Sequence, residues 1–259
     1  MEGNESMTYG AAMAAGYDRG RGLRSRDVGR WMAAAGPYLP SAGGRILDLG
    51  AGTGRFSEAL ARFCGANVVA CEPSAAMRAA FHSNSPDTWV IGGAAEAIPS
   101  RAGAFDAVWA SQVVHHVRDL PAFAAGLRHA LRPKGHLLIR GGFGPVQELP
   151  LYRYFPLAWA EGNAVRLTLE RIVGVLTDAD FVVAHHVQVE QTFADNADEL
   201  VAKVTARSLS PLAGLSDQVF ENGLSALRRD ADEGRIAGPV VDRLDLVVFR
   251  APPEASVGE

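Results

Sequence analysis

Cysteine is nearly absent: Cys64 and Cys71 are the only two in the chain. That pair supports neither a disulfide framework nor a zinc cluster, and it favours a reducing compartment. No apolar run approaches the roughly 20 residues that a membrane-spanning helix needs. The N-terminus, MEGNESMTYG, has acidic residues and no apolar core, so it does not read as a secretory signal. Positive charge is short as well, with 25 Lys and Arg against 29 Asp and Glu and a net charge of −4. A general nucleic-acid binder normally carries a basic surface, so no nucleic-acid partner is expected. These absences together predict a cytoplasmic chain that does not use a membrane.

What is present is a chain able to bury a full core. It has 259 residues, 48% of them hydrophobic and 21% charged, which suits one α/β domain with elaborations. The stretch Arg45–Phe56, RILDLGAGTGRF, sets its organisation. Ile46, Leu47 and Leu49 around Asp48 read as a buried strand, and Gly50-Ala51-Gly52-Thr53-Gly54 as a turn. Phe56, Ala59, Leu60 and Phe63 then follow at helical spacing. Further strands are predicted at 67–72, 88–91, 104–110, 136–140, 181–189 and 244–250. Helices are predicted near 23–35, from Ser74 to Phe81, between Asp119 and Leu131, and at 166–179. Residues 195–235 read as two helical pieces divided around Ser210-Pro211. Alternation at βαβ spacing predicts a doubly wound, Rossmann-like, mostly parallel sheet. The arginines at 19, 21, 24, 26 and 30 read mostly as a solvated face.

The glycine turn is a nucleoside-type site rather than a dinucleotide fingerprint. Arg55 stands where the third glycine of G-x-G-x-x-G belongs, and no Gly-Lys-Ser/Thr follows to make a P-loop. Glu72 ends the second strand 18 residues after Gly54, where a carboxylate can accept both hydroxyls of a ribose.

With ILDLGAGTG, Glu72, GAAEAIP at 93–99, FDAVWASQVVHHV at 105–117 and LRPKGHLLI at 131–139, the chain resembles the class I S-adenosylmethionine-dependent methyltransferases. The resemblance spans about residues 17–141. It implies S-adenosyl-L-methionine as cofactor, S-adenosyl-L-homocysteine as product, and a seven-stranded sheet with an antiparallel last strand. It assigns cofactor binding to Asp48, Gly50, Gly52, Gly54 and Glu72, and places Pro73, Met77, Ala95 and Glu96 beside the adenine. Ala94 replaces the usual Asp of that loop. Ser111 at the fourth strand, and Tyr17 and Arg21 near the N-terminus, complete the implied cofactor set.

Chemistry beyond the cofactor falls to few residues. His115 and His116 follow the fourth strand, and an imidazole there suits a general base. They are the catalytic candidates, His116 ahead of His115. Arg140 ends the fifth strand, and Tyr152, Tyr154 and Trp159 lie in an aromatic insert, so these are the candidate acceptor contacts. No metal site is expected.

The expected layout is a single domain. Residues 1–35 form an N-terminal cap, 43–141 the cofactor core, and 142–165 and 195–238 inserts that shape the substrate pocket. The second insert is alternatively an oligomer surface. The predicted activity is methyl transfer to a small aromatic or apolar metabolite, as in specialised biosynthesis. The alternatives are a non-methylating enzyme of the same fold, such as a cyclase, and a binding module without catalysis.

Overall fold

The computed structural model describes residues 23–159, 167–207 and 209–253. Their strands are β1 (Arg45–Leu49), β2 (Asn67–Cys71), β3 (Trp89–Ile91), β4 (Phe105–Ser111), β5 (Leu131–Gly141), β6 (Val182–Ala194) and β7 (Val240–Arg250). They form one sheet in the order β3-β2-β1-β4-β5-β7-β6. β1 to β5 pair in parallel, and β7 runs antiparallel to both β5 and β6. The predicted class, a Rossmann-like sheet of seven strands with an antiparallel last strand, is the one observed. The strand order reverses between β1 and β4, and ligands of open α/β sheets bind at such a switch point.

The helices are α1 (Ser25–Ala35), α2 (Ser57–Cys64), α3 (Ala75–Asn84), α4 (Leu120–Ala130), α5 (Leu169–Asp178), α6 (Ala197–Thr205), α7 (Ser210–Ala213) and α8 (Asp217–Asp232). Local chemistry fixes many of their ends. Ser74, Asp119, Thr168, Asn196 and Ser216 each accept a bond from a first-turn amide, which satisfies a donor that has no partner inside the helix. Gly65 stops α2 in the left-handed region.

Both faces of the sheet are covered, so its central strands are apolar on both sides. Leu47, Leu49, Val108 and Ile139 pack with Phe123, Leu127, Ile172 and Leu176 of α4 and α5. Ile46, Trp109, Leu138 and Leu246 pack with Trp31, Met32 and Leu60 of α1 and α2. Phe63, expected on the apolar stripe of α2, is instead half exposed, because the short helix buries only its first turns.

β6 and β7 are longer than their apolar patterns predict. β5 stops at Gly141 opposite Asp245, whereas Glu190↔Arg243, Gln191↔Asp242, Thr192↔Val241 and Ala194↔Val240 continue as a two-stranded ribbon. The ribbon leads into a third apolar cluster that joins Leu151 and Phe155 of the aromatic insert to Leu200, Phe220 and Leu224. The two inserts therefore share one small core. Gly223 permits it, since a Cβ there would lie 2.4 Å from the Phe155 ring. The 195–235 region forms three helices rather than two, because Ser216 caps a new start after α7. The arginine face also needs correction. Arg24 and Arg26 pair with Asp195, Arg24 also with Glu199, and Arg30 with Asp27, which ties α1 to the start of α6. Among the described residues no helix is long and apolar enough to cross a membrane.

Candidate active site

The glycine turn lies at the switch point. Gly50, Gly52 and Gly54 all have positive φ, at 68°, 59° and 92°. At Gly50 the requirement is doubled, because a Cβ would stand 2.3 Å from Cγ2 of Val113 in the loop after β4. The Gly50 amide donates to the Cys71 carbonyl at 2.7 Å, so the turn leans on β2 as well.

Two buried carboxylates flank this turn. Glu72 receives the Gly52 amide at 3.0 Å and the Ser74 amide at 2.9 Å. Burial pushes its pKa up, against the pull of those two amides and of Arg78. Asp48 lies beneath the turn and accepts the Ser57 hydroxyl at 2.5 Å. Burial raises it to about 7, with the Ser57 bond opposing and the charge of Glu72 adding to the rise. A nucleoside fits these groups. Glu72 stands at the end of β2 with its two oxygens on two different loops, where ribose hydroxyls can replace or share the amide bonds. The turn itself packs against Val113 at Gly50 and against Phe81 at Gly54.

The neighbouring loops are tied to one another. Glu96 accepts the Arg118 amide at 2.9 Å, which links the loop after β3 to the loop after β4. Ala94 and Ala97 form a bridge, and Ala95 is half-buried between them. Pro73 is exposed at the mouth, whereas Met77 is buried on the inner face of α3. Arg78, not singled out in the sequence, donates to the carbonyls of Glu72 and Pro73 at 2.8 Å each and shapes that corner. Its signal was weak: a cation one turn into the helix that follows the acid.

β4 ends at Ser111, and Gln112 then adopts φ 58°. A left-handed non-glycine residue costs roughly 1–3 kcal/mol and is held by its surroundings. Here the Gln112 amide donates to the Arg140 carbonyl at 2.7 Å. The turn sends Val113 against Gly50 and starts a 3-10 turn, Val114–His116. His115 and His116 are both exposed, with ring centroids 4.0 Å apart. The other histidines lie elsewhere. His136 sits midway along β5 against Tyr38, His129 contacts the Ser100 carbonyl, His185 stacks on Tyr38, and His186 meets Asp245 at 2.8 Å.

Arg140 is buried rather than open to a ligand. One of its terminal nitrogens donates to Ser111 Oγ at 3.0 Å and the other to Gln191 Oε1, and its guanidinium lies 4.6 Å over the Trp31 ring. It therefore tethers the ends of three strands. Tyr154 donates its hydroxyl to Asp230 at 2.9 Å, which fastens the aromatic insert to α8. Tyr152 and Trp159 are half-buried, with ring centroids 6.4 Å apart. Tyr17 and Arg21 lie outside the described residues. Gln191, which accepts from both Trp31 and Arg140, was missed in the sequence; it is placed there by the pairing of β6 with β7, which no local spacing encodes.

Comparison with known proteins agrees with this geometry. A family model described as a methyltransferase domain matches residues 47–139. A protein of Mycobacterium tuberculosis named as an uncharacterized methyltransferase is 36% identical over 132 residues, 51% of each chain. The mitochondrial ubiquinone biosynthesis O-methyltransferase of Mus musculus is 38% identical over 111 residues, covering 40% of this chain and 30% of that one. The chain thus spans about half or less of the length of these curated relatives. Among solved structures, one from Anabaena variabilis, named for a methyltransferase of an antibiotic biosynthesis pathway, has a TM-score of 0.67. It is 24% identical over 89% of this chain and 98% of its own. The cyclase SpnF has a TM-score of 0.62 at 17% identity, over 90% of this chain and 85% of its own. At these identities the structural likeness is one of fold. The glycine turn, Glu72 and the matched segment 47–139 together make this part of the chain a methyltransferase domain of the class I S-adenosylmethionine-dependent family.

Proposed function

We propose that the chain transfers a methyl group from S-adenosyl-L-methionine to oxygen, nitrogen or carbon of a small, largely apolar or aromatic acceptor, releasing S-adenosyl-L-homocysteine. The observation that carries this reading is Glu72, buried at the end of β2 and aligned by the Gly52 and Ser74 amides beside a three-glycine turn. When bound, the cofactor supplies a methyl group already activated on a sulfonium. The chain's own work is to bind, orient, exclude water and accept a proton where the acceptor needs to lose one.

In this reading Glu72 accepts the ribose hydroxyls, and the backbone of Gly50–Gly54 lies along the nucleoside. Pro73, Ala95 and Glu96 border the base. Asp48 supports the turn from beneath. His116, with His115 beside it, takes the acceptor's proton at an imidazole nitrogen. Tyr152 and Trp159 contribute apolar wall, and the small core of the two inserts holds that wall in place. The small-molecule acceptor accords with a relative named for ubiquinone biosynthesis. The reading keeps the cytoplasm as compartment and includes neither nucleic acid nor membrane.

The test is direct. S-adenosyl-L-homocysteine is titrated calorimetrically into the chain, and its formation is followed on incubation with S-adenosyl-L-methionine and an acceptor panel. Saturable binding and acceptor-dependent product are expected. Absence of binding overturns the cofactor assignment, and acceptor turnover without S-adenosyl-L-homocysteine formation overturns methylation.

A further inference from the structure

The first turn of α3 carries a cation to which the proposed chemistry gives no part. Arg78 is half-buried, and its Nη1 donates to the carbonyls of both Glu72 and Pro73, at 2.8 Å each. These two bonds hold the corner where β2 gives way to α3. The face of the guanidinium lies on the end of a different strand. At Gly92, directly after β3, a Cβ would stand 3.4 Å from Arg78 Cζ and 3.5 and 3.6 Å from its two terminal nitrogens. Distances this alike put the guanidinium flat over the glycine. A methyl group there would only touch it, and a larger side chain would intrude.

The next residue is pressed closely too. A Cβ at Gly93 would come 2.6 Å from Pro99 Cδ and 2.8 Å from Cys71 Sγ, so the path of this loop is fixed against β2. The Glu72 amide donates to the Ile91 carbonyl at 3.0 Å and ties the two strand ends together. From there the chain after β2 runs to Pro73, and the chain after β3 runs to Ala95 and Glu96. Arg78 bridges these two departing segments, bonded to one and laid on the other.

We infer that Arg78 is a positioning residue for the base of the nucleoside cofactor, setting the width of the slot between Pro73 and the loop of Ala95 and Glu96. This rests on the cofactor reading of the same site. Arg78 acts on the base rather than on the ribose, because the Glu72 carboxylate takes its alignment from a separate set of bonds, the Gly52 and Ser74 amides. A guanidinium suits the task, since it is planar and can donate at its edge while its face covers a glycine.

The experiment titrates S-adenosyl-L-homocysteine, and S-ribosyl-L-homocysteine as the same ligand without its base, into wild type and three variants. Arg78→Met keeps an apolar stem and removes the donors, whereas Gly92→Val displaces the guanidinium from its other side. Each should weaken S-adenosyl-L-homocysteine at least about tenfold, as the loss of bonds from a charged donor allows. Each should leave S-ribosyl-L-homocysteine as weak as it is with wild type. Gly92→Ala, whose methyl only touches the guanidinium, should bind both ligands as wild type does. Full S-adenosyl-L-homocysteine affinity in Arg78→Met or Gly92→Val, a matching loss of S-ribosyl-L-homocysteine, or equal binding of the two ligands by wild type overturns the inference. Thermal unfolding controls for the fold; if Arg78→Met has lost it, Gly92→Val decides. Failure of wild type to bind S-adenosyl-L-homocysteine is a separate result, and it overturns the methyltransferase reading instead.

Discussion

Asp48→Asn should stabilise this protein at neutral pH, although Asp48 belongs to the motif that defines the site. The carboxyl is fully enclosed, and burial raises its pKa from 3.8 to about 7. A group whose folded pKa lies above its unfolded value contributes stability that is fully present below the unfolded pKa. That contribution is lost as pH rises through the folded pKa. The window here runs from about pH 4 to about pH 7. A shift of about three units at roughly 1.4 kcal/mol each amounts to about 4 kcal/mol lost across it. At 2–4 °C per kcal/mol for a chain of this size, the melting temperature should fall by on the order of 10 °C. The amide of Asn carries no charge and can still receive the Ser57 hydroxyl. Asp48→Asn should therefore melt well above the wild type at pH 7.5, and should match it near pH 4.5 to within a few degrees. The assay is thermal unfolding followed by circular dichroism across that range. Parallel pH profiles, or an Asn variant less stable at pH 7.5, would refute the claim that a buried, proton-holding carboxyl underlies the turn.

Gly50→Ala combines a left-handed φ with a 2.3 Å approach to Val113, so a loss of roughly 2–5 kcal/mol is expected in urea unfolding. A midpoint unchanged from wild type would contradict the packing of the glycine turn on the β4 loop. Glu72→Ala removes the acceptor of the Gly52 and Ser74 amides; titration calorimetry should show S-adenosyl-L-homocysteine affinity down by at least about tenfold. Unaltered affinity would displace the nucleoside from the end of β2. His116→Ala should bind the cofactor product as wild type does and turn over roughly 10²–10⁴-fold more slowly. Undiminished turnover of every acceptor would remove it as the base. Arg24→Ala breaks the pairs to Asp195 and Glu199; because they are partly exposed, thermal unfolding should show only a small destabilisation, and it should shrink in high salt.

Local sequence carried much of the architecture. Continuous apolar runs marked the parallel strands, and Ser74 and the Gly50–Gly54 turn announced the structure that follows them, because caps and positive φ depend on the residue in place and its near neighbours. The acid at Glu72 was legible for the same reason, since a strand end beside a glycine turn is defined by spacing along the chain. The strands after residue 180 were drawn too short. Their outer halves, through Gln191 and Asp242, are polar and extend past β5, so apolar periodicity does not reveal them.

The amino-acid sequence alone determined the turn on which the proposed cofactor site is built. A strand, three glycines and an acid within 27 residues are brought together by adjacent pairing of β1 and β2 with little help from the rest of the chain. Only the tertiary structure decided how the segments after the core are held against it. Arg140 is a buried tether, the two inserts merged into one small core, and Trp31 of α1 met Gln191 of β6. Trp31 and Gln191 alone lie 160 positions apart. Burial and pairing across several layers bring them together, and no pattern within a window of sequence specifies that.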